Sequence, residues 1–444
     1  MKSKMIAIAT LLFAFVATPA QAGWGSGDYL VYGWQNHSWE FVDTDFRTDE
    51  GTNDTDVDRI STNAGNIGFL GSYDTGVNGI TVNWRCEQFT YLNGHAGTTG
   101  WCNRNSKIGL HFPGVGEIMW ATWLLPYNEM VAQWIDPFYD AGSDSHTSIM
   151  GSPGYVGAFY NVGAFSGGGA HFQYQGSTWD LNMNRRQENI VQFWSDDWNG
   201  IHVRYAFTVG ERDDSVSRNT NTINPDIHSA GIAYTNGPAW MAVTWQKHDD
   251  WTAAAVCGTT ICEDSDTESW RIAANYTFNV GEGTTLKLMA MYEDLEYEMD
   301  TTSNPAAALD ALGMTNITDA AYGAGTADSD IKVERDAWHL GLKLDWPGPF
   351  DLRATYQDAD DLDIDAPGIT AVNTKGQLID DDTAADAYNI GLFYQLGDST
   401  ELRLTYSKVD NDDRGGYGQG ISGTGIGNPG VEVEMWALGI VHAF

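Results

Sequence analysis

The sequence predicts an all-β fold, a transmembrane antiparallel β-barrel of sixteen strands with short periplasmic turns and long external loops. Two observations support this prediction. Segments in which apolar and polar residues alternate recur along the chain, and the connections between them are alternately short and long. Alternation with a period of two is the pattern of a two-faced strand. Alternating connection lengths are typical of a barrel that crosses a membrane.

The first 22 residues have the features of a secretory signal. A start with two lysines precedes an apolar run that ends near Val16, and Ala20-Gln21-Ala22 forms a small-residue cleavage site before Gly23. The run is too short for the alternative, a membrane anchor. No later stretch reaches the roughly 20 apolar residues of a spanning helix. We expect a signal peptide over 1–22 and one exported domain over 23–444.

Composition excludes two other classes of protein. The chain has 60 acidic and 23 basic residues, a formal net charge of −37, and such a chain repels nucleic acid. Disordered acidic proteins contain few aromatic residues, whereas this sequence has 18 Trp, 20 Tyr and 17 Phe. The aromatic side chains must therefore be buried or anchored in a folded structure.

The four cysteines form two local pairs, Cys86 with Cys102 and Cys257 with Cys262. An exported chain meets an oxidising periplasm, where such pairs become disulfides that staple loops. A zinc site would need tighter ligand clusters with histidines at fixed spacing, and neither pair offers one. We expect disulfides, no metal site and no cofactor.

The two faces of the predicted strands differ in a way that separates a membrane barrel from a soluble sandwich. In 201–209, for example, Ile201, Val203 and Tyr205 share one face, and His202 and Arg204 share the other. Trp and Tyr cluster at the ends of the apolar faces, as interfacial girdles require. The other faces have full charges in mid-strand, which a water-filled lumen hydrates but a packed core does not accept.

Counting these segments gives sixteen strands, an even number, as closure of a single-chain barrel requires. The segments near 28–42 and 117–123 have the weakest patterns, which leaves fourteen or eighteen strands as alternatives. Sixteen strands enclose a space too wide for side chains to fill, so a channel or a plug follows. The strands are predicted near 28–42, 60–71, 79–90, 103–112, 117–123, 185–194, 201–210, 227–234, 239–248, 268–278, 284–296, 333–346, 350–358, 385–396, 400–409 and 431–444.

The last segment ends Gly439-Ile440-Val441-His442-Ala443-Phe444 and resembles the closing strand of the general bacterial porins. In that family the terminal aromatic residue is part of the signal read by the barrel-assembly machinery. The residues that match this closing strand are Trp436, Leu438, Ile440, His442 and Phe444.

Further motifs resemble porin segments in the same order along the chain. They are Tyr32-Gly33, Asn66 to Gly71 followed by Gly79, Ser106 to Leu110 with Pro113 to Gly116, and Asn189 to Ser195 with Asn199-Gly200. Asn66 stands where many porins have an arginine, and Trp123-Leu124 replaces the usual Gly-Arg. The arginine ladder of the family is therefore thinned, and its selectivity does not transfer.

The resemblance implies a Gram-negative outer-membrane homotrimer whose third external loop, here 124–184, folds into the lumen. It places loop acids opposite wall arginines at a constriction. Its implied partners are outer-membrane lipid and lipopolysaccharide, the barrel-assembly machinery, periplasmic chaperones and small hydrophilic solutes. The implied constriction residues are Arg85, Arg185, Arg186, Arg204, Glu129, Asp136, Asp140 and Asp144.

The function expected on this basis is passive diffusion of small hydrophilic solutes and ions, not enzyme catalysis, because no Ser-containing elbow accompanies the wall histidines. Acids crowd the loops, which predicts a weak cation preference at the mouth and a mixed constriction inside. Two alternatives remain. The aromatic third loop could serve a channel specific for a sugar or aromatic solute, and a closed lumen would indicate an adhesin or receptor barrel.

Overall fold

The segments that alternate between apolar and polar residues form strands that pair with their neighbours along the chain. The structure is a computed structural model and describes residues 28–46, 55–90, 101–139, 146–152, 183–209, 226–249, 262–301, 329–365, 382–413, 415–417 and 430–444. Within these ranges eighteen strand segments form one antiparallel sheet, and the last segment pairs with the first. They are β1 (Asp28–Phe46), β2 (Thr55–Thr62), β3 (Asn66–Asp74), β4 (Thr81–Phe89), β5 (Ser106–Phe112), β6 (Gly116–Leu124), β7 (Arg186–Ser195), β8 (Ile201–Thr208), β9 (Asp226–Asn236), β10 (Ala239–Asp249), β11 (Cys262–Gly281), β12 (Thr284–Thr301), β13 (Ser329–Asp345), β14 (Phe350–Ala359), β15 (Asp363–Asp365), β16 (Ala385–Gly397), β17 (Thr400–Asn411) and β18 (Val431–Ala443).

Two barrel strands are each interrupted, so the eighteen described segments make sixteen barrel positions. β2 pairs with residues 37–44 of β1, and β3 pairs with residues 28–34 of the same strand. β14 and β15 likewise share β13 as their partner. The prediction of a closed sixteen-stranded antiparallel barrel is confirmed, and the two weakest predicted strands are present as β1 and β6. The predicted signal peptide lies outside the described residues.

The two faces of the wall have the polarity that the alternation predicts. On β13, Trp338 and Leu340 are half exposed on the outside, whereas His339 between them is fully buried on the inside. Aromatic rings of adjacent strands touch along the outer face, with ring centroids 4.6 Å apart for Tyr292 and Trp338. Rings at this level anchor a barrel at the interface between lipid and water.

The short connections lie at the same rim as the start of β1 and the end of β18. They follow β3, β5, β7, β9, β11, β13 and β16 in the described residues, and two of them turn at Gly237 (φ 58°) and Gly283 (φ 73°). Glycine adopts this left-handed conformation without the cost that a Cβ imposes. Because short turns face the periplasm in outer-membrane barrels, the opposite rim with the longer connections is the external one.

The third external connection, residues 125–185 between β6 and β7, is called loop 3, and its described parts (125–139, 146–152 and 183–185) contact the inner face of the wall. Its described parts contain α1 (Pro126–Glu129), α2 (Ala132–Ile135) and a 3-10 turn (His146–Ser148). Pro126 begins α1, where the missing N–H costs no helical hydrogen bond. In the described part of the chain, no helix is both long and apolar enough to cross a membrane.

The last residue completes the seam of the barrel. The Phe444 N–H donates to the Gly33 carbonyl (2.9 Å), and the Gly33 N–H donates to the Phe444 carbonyl (3.0 Å). A Cβ at Gly33 would lie 2.5 Å from the Asn66 carbonyl oxygen and 2.7 Å from the Phe444 ring. Position 33 therefore accommodates only glycine without a shift of the backbone.

Replacing Gly33 with valine should lower the yield of folded barrel. The added side chain forces apart two adjacent strands at the seam, and overpacking of this kind costs typically about 1–3 kcal/mol. The measurement is the fraction of refolded protein that resists unfolding in sample buffer, read from its migration on a gel. Gly281→Ala is the control, because its nearest neighbour would lie 3.9 Å away. Equal yields for the two variants would contradict the prediction.

Candidate constriction site

Inward side chains of β9 to β11 bind the backbone of loop 3 at its start. The Tyr127 N–H donates to Ser229 Oγ (3.0 Å), and the Tyr127 carbonyl accepts from Thr244 Oγ1 (3.1 Å). Asn275 Nδ2 donates to the Trp134 carbonyl (2.9 Å). A buried main-chain group without a hydrogen-bond partner destabilises the fold. These wall side chains supply such partners to the backbone of loop 3.

The same arrangement continues along β13 to β16. His339 Nε2 lies 3.0 Å from the last carbonyl of α2, and Arg353 Nη1 donates to the Pro137 carbonyl (3.1 Å). Phe138 is fully buried and packs edge-on against Phe393, with ring centroids 5.6 Å apart. The first leg of loop 3 therefore covers the wall from β9 to β16.

A buried carboxylate on β12 holds both legs of loop 3. Glu293 accepts hydrogen bonds from Arg271 Nε (2.6 Å), from the Tyr127 hydroxyl (2.7 Å) and from the Gly151 N–H (2.7 Å), and it also pairs with Arg335 Nη2. The side chains of Glu293, Arg271 and Arg335 are essentially inaccessible to solvent. One carboxylate thus joins two wall arginines to loop segments that are 24 residues apart in sequence.

The returning leg of loop 3 is bound by further wall side chains. Arg335 Nη1 donates to the Ile149 carbonyl (3.0 Å) and to the Ser152 carbonyl (2.8 Å). Gln246 Nε2 donates to the Met183 carbonyl (2.9 Å). The predicted constriction residues include none of Glu293, Arg271 and Arg335. The signal for Glu293 is a single acid on the inward face of β12, after Met289 and Met291.

The wall from β4 to β8 faces the loop with basic side chains. Arg85 Nη2 lies 2.6 Å from Glu87 Oε2, and Lys107 Nζ lies 2.5 Å from Glu117 Oε2, so each has an acid on its own wall. Arg204 on β8 has no such wall partner among the described residues. Its nearest described acid is on loop 3.

Arg204 and Glu129 oppose each other from wall and loop. Arg204 Nη1 lies 3.9 Å from Glu129 Oε1, and the guanidinium lies 4.1 Å above the centre of the Trp194 ring. Both side chains keep some exposure, 24% for Arg204 and 15% for Glu129. Burial raises the pKa of Glu129, and the Arg204 guanidinium partly offsets this shift. The pair sets an acid on loop 3 opposite a base on the wall.

The remaining predicted constriction residues lie at different depths. Arg186 is buried and its Nε donates to Asn105 Oδ1 (2.7 Å), and Arg185 is fully buried. Asp136 is buried and accepts from the Phe138 N–H (2.8 Å) in a turn directly after α2. Arg85, Arg204 and Glu129 keep contact with the lumen. Two predicted acids lie outside the described residues, Asp140 and Asp144.

One of the predicted cysteine pairs is bonded. The disulfide joins Cys86 on β4 to Cys102 in the following loop, with their Cα atoms 4.6 Å apart. It holds the loop so that Arg104 reaches the lumen wall, pairs with Glu87 and lies over the Trp34 ring (5.1 Å). Sequence reasoning missed Arg104. The second predicted pair, Cys257 with Cys262, is not described because Cys257 lies outside the described residues.

A sixteen-stranded barrel with a loop bound against half of its inner wall is the architecture that the porin resemblance implies. A family model described as Gram-negative porin matches residues 8–414. This chain belongs to the Gram-negative porin family. A comparison with curated protein sequences gave no significant match. The resemblance read from the motifs is thus confirmed, and so are an outer-membrane location and the role of a channel.

Solved porins share the fold of this porin at low sequence identity. The anion-selective porin from Comamonas acidovorans superposes with a TM-score of 0.60 at 15% identity, over 94% of this chain and 100% of its own. OmpT of Vibrio cholerae, folded in vitro, superposes with a TM-score of 0.54 at 10% identity, over 96% of this chain and 100% of its own. Salmonella typhi OmpF in complex with daunomycin superposes with a TM-score of 0.52 at 15% identity, over 94% of this chain and 98% of its own. These likenesses establish the architecture.

The family and the fold are those of a channel rather than of an enzyme. Among the described residues there is no group of three or more His, Cys, Asp or Glu side chains that could hold a metal ion.

Replacing Glu293 with glutamine should loosen loop 3. The variant leaves two guanidinium groups buried without their carboxylate, and breaking a buried ion pair in this way costs about 3–5 kcal/mol. Single-channel recordings should show a larger and noisier conductance than the native protein. Glu296→Gln on the outer face of the same strand is the matched control, since that glutamate is partly exposed beside Lys332. A Glu293→Gln channel with native conductance and noise would show that the loop is held by other contacts.

Proposed function

We propose that this porin passes small hydrophilic solutes and ions by passive diffusion and that its lumen favours anions. The observation that supports the proposal is that the described parts of loop 3 bind mainly to the β9–β16 wall, whereas Arg85 on β4 and Arg204 on β8 keep side-chain exposures of 21% and 24%. The narrowing limits the size of solutes, and the charges along it select their sign.

The described part of the lumen wall next to loop 3 is basic, although the whole chain has a net charge of −37. The buried groups add positive charge as well, since Arg271 and Arg335 share Glu293. This proposal therefore differs from the cation preference expected from the loop acids. The inward cations are Arg85, Arg104, Lys107, Arg204, Lys287, Lys343, Arg353 and Arg403, and the acids beside them are Glu87, Glu117, Glu129, Asp345, Asp351 and Glu401.

In planar bilayers with a KCl gradient, the reversal potential should lie toward the chloride equilibrium potential and move further toward it as the pH falls. Because burial raises the pKa of Glu129, this residue takes up a proton at a higher pH than an exposed glutamate does. Protonation removes one negative charge from the narrowing, so anion preference grows on acidification.

Glu129→Gln should have the stronger anion preference already at neutral pH and a smaller pH response. Glu434→Gln, on the outer face beside Lys408, is the control and should behave like the native protein. A reversal potential toward potassium would overturn the proposed anion preference. Absence of any conductance would instead favour the adhesin or receptor barrel.

The proposed assembly follows the family. We propose a homotrimer in contact with outer-membrane lipid and lipopolysaccharide, delivered by periplasmic chaperones to the barrel-assembly machinery. The outward aromatic rows support a lipid-facing wall. We also propose Phe444 as part of the assembly signal, and its backbone hydrogen bonds to Gly33 support a role in closing the barrel.

We propose no catalytic role. His339 is one of two inward histidines that could suggest catalysis. Its Nε2 lies 3.0 Å from a carbonyl of loop 3, which supports a structural role.

A further inference from the structure

Trp134 presents a fixed indole ring to the lumen. It is 37% exposed, yet it stacks on the buried Trp240 of β10 with ring centroids 5.4 Å apart and an interplanar angle of 11°. Asn275 holds its carbonyl, as described above. The ring therefore has a support behind it and an accessible part in front. A planar solute can stack on such a surface without first ordering it.

Lys287 lies beside this ring. It faces inward on β12, and its Nζ is 5.7 Å from the centre of the Trp134 ring. Within the described part of the chain Lys287 has no ion pair and no hydrogen bond through its side chain. It stands directly opposite Lys343 in the β12–β13 register, and like charges in this position repel each other. A bound anion would relieve this repulsion.

The neighbouring acids are engaged by other cations. Lys343 Nζ lies 2.9 Å from Asp345 Oδ1, and Arg353 binds both Asp351 (2.6 Å) and Glu401 (2.7 Å). Arg353 in turn stands opposite Lys343 in the β13–β14 register. The acids beside this row are thus paired with Lys343 or Arg353, which leaves the Lys287 ammonium without a partner acid among the described residues.

We propose that Trp134 and Lys287 form a binding subsite for small aromatic carboxylates, close to the periplasmic turns. The ring of the solute stacks on the indole, and its carboxylate pairs with the Lys287 ammonium. The two elements are matched in chemistry, because a charge alone would retain any anion and an indole alone would retain any ring. This inference rests on the proposed function, since the solute must enter a conducting lumen.

The test compares benzoate with acetate and cyclohexanecarboxylate as blockers of the KCl current in planar bilayers. Benzoate should block saturably at a concentration about tenfold lower than either of the others. Lys287→Gln and Trp134→Leu should each weaken benzoate block by about tenfold. Current noise as low as that of the native channel in both variants would show that loop 3 keeps its position, and Trp134→Phe, which keeps a ring, should retain most of the preference for benzoate.

Lys107→Gln is the matched control for charge. Lys107 also faces the lumen, but it is paired with Glu117, so its loss should reduce anion preference while leaving the preference for benzoate over acetate unchanged. Equal block by the three acids in the native channel, or unchanged benzoate block in Lys287→Gln, would overturn the subsite. If the channel still conducts KCl in that case, the proposed function stands. Absence of KCl conductance would overturn both.

Discussion

Every backbone N–H and carbonyl that crosses a lipid bilayer needs a hydrogen-bond partner inside the protein, because the hydrocarbon offers none. In this chain the partner of the first strand is the last one, so the sheet closes only when β18 lies beside β1. Closure with sixteen strands has a further consequence. The enclosed space is wider than the wall side chains can fill. Loop 3 occupies part of this space.

Loop 3 is held inside the barrel mainly by polar contacts rather than by an apolar core. Its backbone carbonyls and N–H groups are bound by Ser, Thr, Asn, Gln, His and Arg side chains of the wall. The arginines nearest to it share Glu293, which is buried with them. Buried charges of this kind are a weak source of stability but impose one arrangement on their partners. A narrow passage needs such a fixed arrangement, since a loop held only by apolar contact could slide along the wall.

The strands were predictable because the pattern that defines them is local. Lipid outside and water inside impose alternation on every strand, and the short turns mark their ends, so sixteen positions could be counted from the sequence. The interruptions at 63–65 and 360–362 were not predictable, because the same alternation continues on both sides of each break. The constriction was predictable only where the porin resemblance named positions. Glu293 and Arg335 were not predicted as site residues because their loop partners are distant in sequence. Tyr127 and Gly151 lie more than 140 residues from Glu293, and Ile149 and Ser152 lie more than 180 residues from Arg335. No local pattern records such contacts.

The wall contacts of loop 3 have a consequence for the order in which the protein is built. The side chains that bind its first leg come from Ser229 onward and extend to Phe393 on β16, whereas the loop itself follows β6. A chain delivered from its N-terminus therefore presents loop 3 before most of its binding surface exists. The loop can take its final place only late in assembly, after β16 has joined the sheet. The dimensions of the passage therefore depend on strands that lie far beyond the loop in the sequence, up to β16.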